Sequence, residues 1–151
     1  EQIPLSGDFT MVGGGAFNSN GIVAVPGGEQ LIIVNSSLGT LYRVDSATGN
    51  ASLIDLHGGD VLNGDGLLLE GDNLYVMQNA NNQVAVVDLN CWFTSGYVER
   101  TLTDSRFDFP TTAVGFGPWL YVINSRLSTT SAPDIFRSIS NCSSALKYFS
   151  W

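Results

Sequence analysis

The sequence predicts an all-β fold built from propeller-type, four-stranded units, about three of them in the chain. Two observations carry this prediction. Apolar runs of four to six residues alternate with Gly-, Asn-, Asp- and Ser-rich breaks, and no window sustains the three-and-four spacing of an amphipathic helix. The runs also recur at a fixed period. Leu31 and Leu74, Leu41 and Val84, and Asp45 and Asp88 are each 43 positions apart, and Leu74 and Leu120 are 46 apart. A strand-turn-strand pattern with this period matches the roughly 40–50 residues of a propeller blade. A β-sandwich would explain the strands but not the period.

Taken in order, residues 1–19 hold a strand candidate around Leu5–Val12, followed by the break Gly13-Gly14-Gly15. This segment reads as an outer strand and a link. The first unit spans about 20–62. Gly21–Val25 is expected as a buried strand, Pro26-Gly27-Gly28 as a tight turn, and Leu31–Val34 as a strand buried on both faces. Leu41–Val44 alternates and is expected to be partly exposed. Ala51–Leu56 is more polar and suits an outer edge. The second unit, about 63–108, repeats the plan with strands at Gly66–Leu69, Leu74–Met77, Val84–Val87 and Tyr97–Leu102. The third, about 109–151, supplies Thr112–Phe116 and Leu120–Ile123, then a Ser-rich tail ending in Tyr148-Phe149-Ser150-Trp151. All three belong to one partial domain over 1–151. An open array of this kind would expose apolar strand edges at both ends, which favours self-association.

Composition limits the partners. Fourteen acidic residues against six Lys and Arg give a formal charge of −8, which repels a nucleic-acid backbone and an anionic membrane surface. No apolar run approaches the roughly 20 residues that span a bilayer. With 44% hydrophobic residues the chain has enough apolar side chains for a core. Asn-X-Ser sequons at Asn35, Asn50 and Asn141, the scarcity of Lys and the presence of only two cysteines lean towards secretion and glycosylation. Cys91 and Cys142 either pair, closing a long loop, or stay as two thiols.

The polar residues heading the innermost strands are the candidates for function. Asn63-Gly64-Asp65-Gly66 places a carboxylate between glycines just before an apolar run, and Asn20-Gly21 and Thr111-Thr112 open the other two units. In a propeller such positions converge on the mouth of the channel. One carboxylate and one amide oxygen suit a hard cation, although calcium takes six to eight oxygens. The simpler reading makes Asn20 and Asp65 turn residues that cap the strands through side-chain hydrogen bonds. Asp60, Asn63 and Asp65 do not have the spacing of an EF-hand. His57, the sole histidine, has no Gly-X-Ser-X-Gly elbow to serve, and with Cys91 and Cys142 it lacks the spacing of a zinc site. Asn79, Asn81, Asn82 and Gln83 form a polar cluster suited to a channel mouth, to a sugar or to a solvated turn. Trp92 and Trp119 are either stacking platforms or packing residues.

Several stretches resemble one known family. They are Phe17–Ile22, Gly39–Asp45, Asn63–Leu69, Asn79–Val87 and Phe109–Gly117, which together span roughly residues 5–126. The chain is similar to the six-bladed propellers of the senescence-marker-protein, gluconolactonase and luciferin-regenerating-enzyme family, above all to secreted fungal and bacterial members. On this resemblance it is the C-terminal half of such a propeller. The resemblance implies a divalent cation, calcium or zinc, at the channel mouth, with Asn20 and Asp65 as ligands. It also makes Asp65 the general base for hydrolysis of a lactone or ester, with a lactone, ester or sugar-derived small molecule as the ligand. The family's first-blade Glu ligand has no counterpart in this sequence. A non-catalytic binding or scaffold propeller is the alternative.

Overall fold

In the computed structural model, residues 1–127 and 133–138 are described. They form three sheets of twelve strands, without an α-helix among the described residues. The first sheet holds β1 (Ser6–Gly7), β2 (Ile22–Ala24), β3 (Gln30–Asn35), β4 (Thr40–Asp45) and β5 (Asn50–Leu53), in the order β1-β5-β4-β3-β2. The second is a meander of β6 (Gly64–Glu70), β7 (Asn73–Gln78), β8 (Gln83–Leu89) and β9 (Gly96–Leu102). The third runs β10 (Pro110–Phe116), β11 (Trp119–Asn124) and β12 (Asp134–Ser138). All neighbours pair antiparallel except β1, which lies parallel to β5. The innermost strands β2, β6 and β10 come first in their units and lie side by side through contacts of β6 with both others.

The sheets stack face to face, and strand alternation decides which side chain meets which neighbour. Ile32, Val34 and Leu41 of the first sheet bury against Leu74, Val76, Ala85 and Val87 of the second. One residue out of phase, Tyr75, Met77, Val84 and Val86 turn to the other side and bury against Leu120 and Val122 of the third. The middle sheet is therefore apolar on both faces, which explains the continuous runs at Leu74–Met77 and Val84–Val87.

Three expectations change. Gly21–Val25 is not a buried strand, since Ile22 is 59% exposed and Ala24 is exposed too. Leu5–Val12 contributes only the two residues of β1, and these lie outside β5, so β5 is not the edge of its sheet. The first sheet's far face is also not open across its middle. Phe9 packs on Tyr42 with ring centroids 5.1 Å apart, and Ile33, Tyr42, Val44 and Ala51 are buried beneath the N-terminal segment. Hydrogen bonds from Asp8 N to Ala51 O and from Ser37 N to Phe17 O fasten that segment. Strand β12 was not foreseen. The tail from 139 onwards lies outside the described residues.

Each unit carries a buried amide at the end of its second strand. Asn35, Gln78 and Asn124 are at most 4% exposed, although nothing in their neighbours' chemistry asks for a polar core. The amides clamp the segment that leads into each first strand. Asn35 Nδ2 donates to Thr10 O at 3.0 Å, Gln78 Nε2 to Leu62 O at 2.7 Å, and Asn124 Nδ2 to Arg106 O at 2.8 Å. Asn124 Oδ1 also accepts from Asp108 N. Irregular backbone buried between sheets needs such partners. A glycan at Asn35 does not fit this structure, because the nitrogen that would carry it is buried and committed.

Candidate functional site

The heads of the innermost strands do converge, and a backbone irregularity presents Asp65 there. The β6–β7 ladder shifts register between Gly64 and Leu67, so Asp65 and Gly66 fall in a bulge. The same shift recurs in β10 between Pro110 and Thr112, around Thr111. Bulges of this kind re-aim a side chain away from the ladder. The residue before each bulged strand is left-handed, Asn63 at φ 61° and Phe109 at φ 56°. Asn tolerates that region, and in Phe109 it is held by neighbouring hydrogen bonds from Ser125 to its carbonyl.

Asp65 is half-buried and accepts a hydrogen bond from Asn79 Nδ2 at 2.9 Å on its Oδ2. Burial pushes its carboxyl pKa above the ordinary Asp value, and the Asn79 bond opposes that shift. Asn20 is exposed. Its Nδ2 donates to Ser36 Oγ at 3.2 Å, and the Ser36 hydroxyl donates in turn to Gly64 O. Asn20 is thus tied through Ser36 to the residue preceding Asp65, across the seam between the first and second sheets. The structure places Asn20 and Asp65 at adjacent strand heads linked through Ser36, with Thr111 in the equivalent place on the third unit's first strand.

The polar cluster after β7 belongs to the same mouth. Asn79–Asn81 form a 3-10 turn, and Asn82 ends it in a left-handed conformation. Asn81 Oδ1 accepts from Asn63 Nδ2 at 2.9 Å, Asn82 Oδ1 from Phe109 N at 2.8 Å, and Gln83 Nε2 donates to Gln78 at 2.7 Å. The bond to Asn82 joins the second unit to the head of the third, and the other two fasten the head of the second unit to its own turn. Sequence reasoning found the cluster but not this role, because the partners lie 18 and 27 residues away. It missed Ser36, whose turn-like surroundings gave no signal, and Arg126, which sits at the same end of the third sheet. Arg126 Nη2 meets Asp134 Oδ2 at 2.5 Å, and its Nε lies 3.9 Å from Asp108 Oδ2.

Other candidates lie elsewhere. His57 is on the outer rim, stacked on Tyr97 at 4.6 Å and 3.5 Å from Asp55. Trp92 is largely exposed on that rim, where its carbonyl accepts from Arg43 Nη1. Trp119 carries the Arg137 guanidinium 4.0 Å over its ring. Cys91 is exposed, whereas Cys142 and Asn141 lie outside the described residues. Asn50 is exposed at the start of β5. As a metal site the donor set falls short. Among the described residues no group of three Asp, Glu, His or Cys side chains comes together, and Asp65 with Asn20 offers two side-chain ligand groups where calcium takes six to eight oxygens.

With this geometry in view, the likeness to known structures is one of fold. The hydrazine synthase of Kuenenia stuttgartiensis superposes with a TM-score of 0.59 at 20% identity, over 87% of this chain and 36% of that one. BamB from Moraxella catarrhalis gives 0.48 at 18% identity, over 79% of this chain and 36% of that one. The chain thus spans about a third of the length of the structures it matches. The first of these likenesses shows the fold alone, and the described residues form an all-β chain of propeller-type sheets. No protein-family profile and no curated protein matches the sequence.

Proposed function

We propose that the chain is a secreted propeller-type binding or scaffold module, whose inner-strand mouth receives a small polar ligand of the lactone, ester or sugar-derived class. The observation that supports this is the company Asp65 keeps. Among the described residues its carboxylate is bonded to an amide, and the surrounding Asn and Gln side chains are engaged in bonds within the second unit and, through Asn82, to the third. A half-buried carboxylate amid amides can accept hydrogen bonds from the hydroxyls of a polyol, whereas acid–base turnover needs a second group to give or take the proton.

Hydrolysis of a lactone or ester, assisted by calcium or zinc as the family resemblance implies, is the second reading. The upward-shifted pKa of Asp65 favours it, since a general base works best with a pKa closer to neutrality. Calorimetric titration with aldonolactones and the matching sugar acids, run beside a pH-stat hydrolysis assay with calcium or zinc, separates the two. The binding reading expects saturable binding that weakens at least tenfold in Asp65→Ala, and no turnover. Metal-dependent turnover that disappears in Asp65→Asn would overturn it in favour of the hydrolase. Neither binding nor turnover would remove both.

A further inference from the structure

Asp65 and Asn79 are joined by a bond whose sense their surroundings fix. Asn79 Oδ1 accepts from Ala80 N at 2.6 Å, so Nδ2 is the end of the amide that meets Asp65 Oδ2, at 2.9 Å. The two side chains come from different elements. The bulge between Gly64 and Leu67 carries Asp65, and the 3-10 turn Asn79–Asn81 carries Asn79. Both are partly exposed, and both keep hydrogen-bonding capacity. An amide nitrogen has two hydrogens and a carboxylate about four acceptor positions. Among the described residues, the bond from Asn79 is the one this carboxylate accepts. The neighbouring amides are engaged in the fold, Asn63 with Asn81, Asn82 with Phe109 N and Gln78 with Leu62 O. The fold itself does not need a carboxylate at 65. Burial disfavours its charge, and an amide oxygen there could accept the same bond.

We propose that Asp65 and Asn79 act as one recognition unit for a vicinal diol. Asp65 accepts from one hydroxyl, and the second Nδ2 hydrogen of Asn79 donates to the hydroxyl beside it. The inference rests on the reading of this mouth as a binding site, and it narrows the ligand to a neutral polyol. An acceptor and a donor 2.9 Å apart match the spacing of neighbouring hydroxyl oxygens on a sugar ring, so both contacts form at once. Charge selects a neutral sugar over a sugar acid. The chain carries −8, and the cation at the same end of the third sheet, Arg126, is held by Asp134 at 2.5 Å. An anionic ligand would set a second carboxylate against Asp65, and like charges in contact oppose binding.

Calorimetric titration of the full chain with methyl β-D-ribofuranoside, whose ring carries two neighbouring hydroxyls, and with its 2-deoxy form tests the inference. The parent should bind the first at least tenfold more tightly, because a site built for a hydroxyl rejects the analogue lacking it. Asn79→Ala and Asn79→Asp should each bring the two affinities within about twofold of one another. The second variant keeps the acceptor for Ala80 N but has no hydrogen to donate, and circular dichroism reports whether each variant keeps the fold. A variant that weakens both sugars equally, with the preference kept, would overturn the inference by making Asn79 a support of the turn alone. Equal binding of the two sugars by the parent would overturn it as well, while leaving the mouth a binding site. Binding of aldonolactones but of neither riboside would do the same, and binding of none of them would remove the underlying reading too.

Discussion

Gly21 and Asp65 are in backbone contact across the seam between the first two sheets. A Cβ placed on Gly21 would lie 1.9 Å from the Asp65 carbonyl oxygen. One unit later the relationship repeats, since a Cβ on Gly66 would lie 2.3 Å from Thr111 O. The glycine next to each strand head lets the following strand head approach, so the residues that form the mouth are also those that set the spacing between units. The third unit has Thr112 in the corresponding place.

Gly21→Ala should therefore destabilise the chain by about 2–3 kcal/mol, the upper part of the roughly 1–3 kcal/mol usual for forcing a group into a filled space. The opposing atom is backbone and cannot rotate away. Gly13→Ala is the control, because nothing lies within 4 Å of its added Cβ, and its change should stay within roughly 0.5 kcal/mol. Urea melts of the two variants would decide. Equal midpoints would show that the seam is loose at Gly21.

The period of 43 and 46 residues made the units visible in the sequence because each strand position keeps its face from one unit to the next. Leu31, Leu74 and Leu120 all read as strand openers for that reason. Asn20 and Asp65 were legible as strand heads on the same ground. What stayed hidden depends on contacts between distant segments. Ile22 reads as core, yet no sheet covers its side of β2. Asn35 reads as a glycosylation site because its triplet is local, whereas its burial depends on Thr10, 25 residues upstream. The N-terminal segment offers Phe9 as its sole strong apolar anchor between Leu5 and Met11, which gave no hint that it seals a sheet face.

The amide clamps predict a second set of losses. Asn124→Ala would remove the acceptor of Asp108 N and the donor to Arg106 O, leaving two backbone groups beside a buried cavity. Loss of about 2–3 kcal/mol is expected. Asn81→Ala, which breaks an exposed bond to Asn63, should lose less than about 1 kcal/mol. Thermal melts of both variants check the ranking, and an Asn81 variant as damaged as the Asn124 variant would contradict it.

The same burial decides which sequon can be used. In a secretory eukaryotic host the folded protein should carry glycan at Asn50 and none at Asn35. A glycan must replace a hydrogen on Nδ2, and Asn35 Nδ2 points at Thr10 O in a site with no exposed surface. Peptide mass spectrometry of the monodisperse product reads the occupancy. Glycan on Asn35 in folded material would mean that the clamp is dispensable.

Asp65 should make stability depend on pH in a direction opposite to that of a salt-bridged carboxylate. Its folded-state pKa lies above the ordinary 3.8 because burial disfavours the ionised form. The folded chain therefore holds this proton at pH values where the unfolded chain has released it. Stability from this group is fully present below pH 3.8, falls as pH rises towards the folded pKa, and stays reduced above it. Asp65→Asn keeps an oxygen that can accept from Asn79 and removes the charge. The variant should thus match the parent at pH 3 and exceed it at pH 7. Urea midpoints at the two pH values measure this, and a variant less stable than the parent at pH 7 would show that the ionised carboxylate is favoured at the mouth by a neighbouring charge or a bound cation.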